Sequence, residues 1–592
     1  MNVSALSCFQ TLPVHIVSDI LDYARLSSDS AFDLLCAGSS ISESCRLWRQ
    51  VAVKESLRTQ TLEVITKAHP ESAAILDSSA PYHASRAEPP RSLARTLRVR
   101  FKDMTSILDG SFLSAVASHR EGCGDVCYAN ARRLVVEIAN AGFISGCNVP
   151  CSDSLAMAMA ADAARAIRML IPAASALSVS VSVSASASGS ASVSVSKACS
   201  ESYGTWSVEP SIGTLLSELA ANISVVRIDY DSSLQFVGPA MAFTKGLTHL
   251  SMAFPVSAGL LSQIVQRNAE TLQHLHIQSL HPELARALVS DSCGQPLVYP
   301  NLEHLRFSQH AIFGSVALPE AVSSCGAPFP RLESLVVENS YMFTNDLVFR
   351  AAYGHLRRLC LPLTPRVIKI VSQSPGFRSK AKTEIRHLLL ETSIFNHDLA
   401  ADYTVQATRL ALDIISASSS TIQTLYLLND FDKHMVMQAI RSEKTMTTTA
   451  AFRNLTKLCC RSLALDLADV TSMLRNIPRL RNLDCSLAAD SLDPHNAESV
   501  ERMVTYYASP EEMFPLNKWV SSWHVVGRGN AKMANIAYAV LLVALSCPRL
   551  STVTHSPLFK QEFYEQMREL LQETSLFGGY KHRLWHLVSH QR

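Results

Sequence analysis

The chain repeats itself. An apolar residue, two variable positions, a large apolar residue (usually Leu), one variable position and a last apolar residue recur nine times, at Leu247–Met252, Leu272–Ile277, Leu302–Phe307, Leu332–Val337, Leu356–Leu361, Ile385–Leu390, Ile422–Leu427, Leu455–Cys460 and Leu480–Cys485. Successive copies start 24 to 37 residues apart. A period of that length marks a supersecondary unit that cannot bury its apolar face alone and must stack on its neighbours. Weaker copies flank the nine at Ile223–Ile228, Leu550–Val553 and Ile171–Leu177, with fainter ones at Ala131–Val136 and Ala94–Val99. Several are introduced by a proline, as in Tyr299-Pro-Asn, Phe329-Pro-Arg, Ile477-Pro-Arg and Cys547-Pro-Arg. Proline fixes φ and removes a donor, which suits the turn before a strand. Between the copies lie stretches such as 259–268 with apolar residues at helical spacing. The predicted unit is a short strand followed by a helix.

Such a unit resembles a leucine-rich repeat. The resemblance implies an α/β class: an irregular leucine-rich-repeat solenoid, with a parallel sheet on its concave side and helices outside. It covers 93–556, and a helical cap is expected at 557–592. One departure matters. The Asn that usually follows the strand is replaced by Pro255, Leu280, His310 and Ser340 in four successive copies, so repeats of variable length are expected.

Composition agrees with a large core. Of 592 residues, 47% are apolar and only 18% charged, which excludes wholesale disorder. A net charge of +2 gives no electrostatic reason to expect nucleic acid or an anionic membrane as partner. The opening MNVSALSCFQTLPVHIV lacks a basic segment and an unbroken apolar run, so it does not read as a signal peptide. The longest apolar stretch, 534–545, is shorter than the ~20 residues that cross a bilayer. Fifteen dispersed Cys then read as reduced, mostly core thiols, and the expected location is cytoplasmic or nuclear. Two segments interrupt the array. Residues 61–92, with Pro70, Pro81, Pro89 and Pro90, read as a helix end and linker, and 178–202 as a Ser/Val/Ala insertion loop, with a strand extension or a hairpin turning at Gly189 as the alternatives that the strict Ser alternation allows.

The head of the chain, 1–60, reads as three short helices. Pro13 suits a first helical turn, and Ile16, Val17, Ile20 and Leu21 share one face. Phe32 to Cys36 and Cys45 to Ala52 supply two further apolar faces. Leu12-Pro13 opening a helix, followed by Cys45-Arg-Leu-Trp48-Arg, is similar to an F-box. An F-box before leucine-rich repeats is a known family arrangement, and this opening resembles the divergent fungal versions. The resemblance implies a Skp-type adaptor and, through it, the cullin scaffold of a ubiquitin ligase as partners. It places Leu12, Pro13, Ile16 and Ile20 in the adaptor contact, supported by Leu34 and Trp48. The pattern departs at His15, where an acidic residue is common, and at Gly38-Ser-Ser in the middle helix. The same helices would also serve as a cap on the solenoid's exposed end.

Motifs for chemistry are weak. Cys123/Cys127 and Cys147/Cys151 are paired thiols, but their spacing is one residue too long for a zinc knuckle and a core-like strand separates them. Gly527-Arg-Gly529-Asn-Ala-Lys532 lacks the third glycine of a phosphate loop. No catalytic residue, metal site or cofactor is assigned. The concave face is the better lead. The position before the second leucine holds His249, His274, His304 and later His387, with His276, Arg306 and Arg358 beside them. These are the candidate partner-binding residues, expected to bind an acidic peptide of an unknown protein substrate and to do so more strongly as pH falls through ~6.5.

Overall fold

The computed structural model describes residues 59–66, 73–77, 94–108, 110–123, 128–140, 152–181, 209–230, 246–253, 258–277, 288, 297–307, 329–337, 355–365, 367–368, 384–392, 401–418, 421–441, 452–488, 492, 496–509, 513–522, 533–555, 560–573 and 575–589. The architecture is α/β. Two compact units divide the chain, Met1–Ile312 with Pro319–Phe329, and Phe313–Leu318 with Pro330–Arg592.

In the first unit the strands are β1 (Thr59–Thr66), β2 (Ala73–Asp77), β3 (Thr96–Asp103), β4 (Arg133–Asn140), β5 (Ala176–Val181), β6 (Val225–Tyr230), β7 (His249–Ala253), β8 (His274–Ile277) and β9 (His304–Phe307). β1 pairs antiparallel with β2 and parallel with β3, and from β3 to β9 each strand pairs in parallel with the next. Helices Ser111–Cys123, Asp153–Leu170, Glu209–Ala220 and Ala258–Asn268 supply crossovers. The second unit holds β10 (Ser334–Val337), β11 (Arg358–Leu363), β12 (His387–Thr392), β13 (Thr424–Leu428), β14 (Lys457–Leu465), β15 (Asn482–Leu487), β16 (Lys518–Ser522) and β17 (Thr552–His555), all parallel in chain order. Its helices include Ala401–Ala417, Lys433–Arg441, Leu467–Asn476, Ala497–Tyr507 and Met533–Ser546.

A backbone device repeated at most of the described strand starts sets the register. The carbonyl just before one strand accepts two successive amides from the next repeat. Thus Ser224 O receives Thr248 N at 2.8 Å and His249 N at 3.1 Å, and Thr248 O receives Gln273 N at 2.8 Å and His274 N at 3.0 Å. Gln273 O does the same for Glu303 and His304, and in the second unit Arg357, Arg386, Gln423, Thr456, Arg481 and Asn517 repeat it. Hydroxyls reinforce the ladder: Thr248 Oγ1 donates to Ser224 O at 3.1 Å, Thr271 Oγ1 to Leu247 O at 2.8 Å, and Thr421 Oγ1 to Ile385 O at 2.8 Å. The expected prolines sit in turns closed by i to i+3 bonds, Leu480 N to Ile477 O and Leu550 N to Cys547 O, both 3.0 Å.

In-register pairing turns the repeat into columns. In the first unit Leu97, Leu134, Leu177, Val226, Leu250, Leu275 and Leu305 face one another strand by strand, and none is more than 2% exposed. In the second, Leu335, Leu359, Leu388, Leu425, Leu458, Leu483, Trp519 and Val553 do the same. The helices cover these columns with their own apolar faces, each buried side chain contributing ~1.5–3 kcal/mol. Adjacent helices are also tied by charge. Buried Asp469, the N3 residue of the capping box with Asp466, meets Lys433 Nζ and Arg441 Nη2 at 2.6 Å each.

Several expectations change. The stretch 61–92 is not wholly linker: most of β1 and all of β2 fall inside it. Residues 178–181 do not begin a loop but complete β5, because the Ser/Val alternation continues the strand period, with Val179 and Val181 buried and Ser180 exposed. The rest of the insertion, 182–202, lies outside the described residues. The apolar stretch 534–545 is a buried helix packed by Ala497–Tyr507 and, from the expected C-terminal helical segment, Lys560–Glu573 and Lys581–Ser589. Among the described residues no helix is long and apolar enough to cross a membrane.

One buried amide does what the missing strand-end Asn was expected to do. Asn268 is fully buried at the end of its helix. Its Oδ1 accepts the amides of Gly246 and Leu247 at 3.0 Å each, and its Nδ2 donates to Ile264 O at 2.9 Å. Gly246 has φ +113°, which favours glycine, so this turn needs both residues. Asn268→Ala strands the buried Leu247 amide and is expected to cost ~2 kcal/mol. Asn301→Ala, which removes an exposed bond to Glu270 O, is expected to cost under ~1 kcal/mol. Urea denaturation of both variants checks this, and equal losses would contradict it.

Candidate functional site

The positions on either side of the inward leucine face the other way, and pairing stacks them too. In the first unit one column runs Arg133, Ala176, Val225, His249, His274 and His304. The three imidazoles stack, His249 on His274 at 4.0 Å and 12°, His274 on His304 at 4.2 Å and 17°. The neighbouring column runs Val135, Ser178, Arg227, Ser251, His276 and Arg306. His276 Nδ1 and Ser251 Oγ lie 2.9 Å apart in a hydrogen bond. Ala176, Ser178 and Val225 are short, so the face hollows there. The concavity is bordered by Arg133, Arg227, His249, Ser251 and His274.

The histidines do not behave as the sequence suggested. Burial, and after it the charge of His304, holds His249 down at about 4. Burial, then His249 and His304, takes His274 to about 2. Burial, then Arg306 and Arg227, takes His276 to about 3. A charged ring in this stack would be desolvated and would sit beside other cations. The expected gain in acidic-peptide affinity through pH ~6.5 is therefore corrected for His249, His274 and His276: these three rings stay neutral there. Permanent positive charge comes from Arg133 and Arg227 instead. Arg98 and Arg100, on the same outward face, pair with Glu137 at 3.3 and 2.7 Å.

In the second unit Arg358 and His387 pair in register. Burial, then Arg358, Arg386 and Lys457, lowers the His387 pKa. Further along, Arg461 Nη2 meets Asp484 at 2.8 Å, and Cys459 Sγ donates to the same carboxylate at 3.5 Å. Burial and that carboxylate push Cys459 up to about 12, so the thiol is held protonated. Cys360, Cys459, Cys460, Cys485 and Cys547 are all buried and unbridged.

Of the residues singled out in the sequence, His249, His274, His276, His304 and Arg306 form one cluster. Arg358 and His387 form another, in the second unit. Leu12, Pro13, Ile16, Ile20, Leu34 and Trp48 lie outside the described residues, as do Cys127, Cys147, Cys151 and Gly527 to Lys532. Sequence reasoning missed Arg133, Arg227 and Glu303. The signal was present, since the column positions of the weak copies at Ala131 and Ile223 already name Arg133 and Arg227.

The lowered values carry a stability consequence. Above pH 6.5 the rings are neutral in both folded and unfolded chains and contribute no pH dependence. Below it, the unfolded chain takes up protons that the folded one refuses, down to the folded values. Stability therefore falls with pH in that window, by up to ~1.4 kcal/mol per pH unit for each buried ring. With chelator present, so that no ion competes for the imidazoles, the denaturation midpoint is expected to drop between pH 7 and 5. His274→Gln should make that drop shallower, and equal slopes would contradict the assignment.

What the cluster offers chemically is a row of neutral imidazoles as hydrogen-bond partners or metal ligands, next to two guanidinium groups suited to carboxylates. No family model matches the chain, and no curated protein matches it.

Proposed function

We propose that the chain is a protein-recognition subunit whose outward sheet face binds a protein target and whose head couples that target to a ubiquitin ligase. The observation that carries the recognition half is the register. Fifteen parallel strands, β3 to β17, begin at the same motif position, so variable side chains accumulate in columns while leucines fill the core. A surface assembled that way changes its ligand by changing exposed positions, with no cost to packing. In this reading the strand–helix units are leucine-rich repeats. Arg133 and Arg227 take acidic groups of the target, and His249, His274, His276, His304 and Arg306 shape the neighbouring surface. Arg358 and His387 offer a second contact in the second unit.

The ligase half rests on Leu12-Pro13 and Cys45-Arg-Leu-Trp48-Arg. Leu12, Pro13, Ile16 and Ile20, with Leu34 and Trp48 behind them, would hold a Skp-type adaptor, and the adaptor a cullin. The chain then contributes proximity: both ends of the transfer are held together and the effective concentration of target rises. This reading assigns it no chemical step and requires no cofactor, and its site of action is the cytoplasm or nucleus. The second reading is a non-catalytic repeat scaffold whose head only caps the array.

Affinity capture of the full chain separates the two. The parent is expected to recover adaptor and cullin, and an Ile16→Asp/Ile20→Asp variant to lose both while keeping the parent's thermal unfolding. A parent that recovers neither, or a variant that recovers both, would contradict the ligase reading. Arg133→Glu/Arg227→Glu should reduce target capture at least tenfold and leave adaptor recovery unchanged.

A further inference from the structure

We propose that His274, Glu303 and His304 form a site for a divalent transition-metal ion of the zinc class. The donor atoms of these three side chains all lie within 4.8 Å of one another. Two imidazoles and one carboxylate match the ligands that bind zinc at three positions and leave a fourth open. Calcium and magnesium, which take oxygen ligands in larger number, are poorly served by this set.

Three features of the fold support the assignment. First, the pairing of β8 with β9 places His304 directly opposite His274, so the two nitrogens come from a rigid sheet and not from loops. Second, Glu303 is anchored through its own backbone, whose amide donates to Gln273 O at 2.9 Å, which fixes where the carboxylate starts from. Third, the His274 ring is buried and held in place by His249, stacked on its other face at 4.0 Å. A tetrahedral set with bonds near 2.1 Å brings donors to about 3.4 Å apart. A nitrogen of imidazole bonds a metal in the ring plane, so the stacked His304 ring must turn off His274 to close the site; that movement falls on Glu303 and His304, which are partly exposed, while His274 is buried. The Glu303 charge also offsets the repulsion that Arg306 and Arg227 impose on a cation here. The open position borders the concavity that His274 helps to line. The assignment does not depend on the ligase reading.

Zinc titration calorimetry on the chelator-treated, reduced full chain, with any affinity tag removed, tests this. The parent is expected to bind one equivalent more than His304→Gln or Glu303→Gln, or to bind that equivalent on the order of 100-fold more tightly. Both substitutions fall on half-exposed side chains, and circular dichroism and thermal melting confirm that the variants fold. Cobalt substitution gives the second readout. A His/Glu site yields visible d–d bands without thiolate charge transfer, and those bands should vanish in the double variant. Equal stoichiometry and affinity in parent and double variant, or a cobalt spectrum of thiolate type alone, would overturn the assignment.

Discussion

The regularity of the described strands depends on a carbonyl that, in most repeats, accepts two amides of the next. The bond pair formed by Ser224 O, Thr248 O, Gln273 O and their counterparts lies where the chain enters each strand. That placement sets where a strand starts relative to its neighbour before any side chain is considered. Because the side-chain period of a strand is two, a slip of one residue would bring His274 into the core and Leu275 out of it. Backbone bonding and leucine burial select the same register. This also explains how the repeats dispense with an Asn after the strand: the turns are joined by main-chain bonds, by hydroxyls such as Thr271 and Thr421, and in one place by buried Asn268.

Much of this was legible in the sequence. All nine strong copies have their strand beginning at the third motif position, from His249 to Asn482, and the weak copies at Ala94, Ala131, Ile223 and Leu550 obey the same rule. What escaped did so for physical reasons. The copy at Leu516 was hidden because Trp519 takes the leucine position, and an indole fills that site while breaking the pattern. β1 and β2 were masked by the prolines around them, which punctuate the ends of strands as readily as they mark linkers. The Ser/Val run reads first as an insertion loop, and the alternative that its alternation allows, a strand extension, is what its first residues do in β5. The motifs at the head of the chain lie outside the described residues.

The charge properties of the face were the least legible part. A column of histidines in a sequence suggests a pH sensor near 6.5, because one ring alone titrates there. Stacked at 4.0 Å and largely buried, His249 and His274 lose that property together. Only the pairing, which sequence spacing implies but does not measure, reveals the mutual repulsion and desolvation. The same pairing sorts the arginines. Arg98 and Arg100 meet Glu137, Arg461 meets Asp484, and Arg133 and Arg227 border the hollow left by Ala176 and Ser178. A chain of net charge +2 thus carries a locally basic face with neutral imidazoles alongside.

The register itself is open to a direct measurement. In-register parallel neighbours lie ~4.8 Å apart, within the range that a disulfide bridges when both side chains leave the same face. Mild oxidation of a His274→Cys/His304→Cys variant, read by mass spectrometry of the linked peptides, should give that cross-link in high yield. A His274→Cys/Leu305→Cys variant, with its thiols on opposite faces, should give little. The reverse outcome would mean that the strands are paired one residue out of step, and the columns described above would not exist.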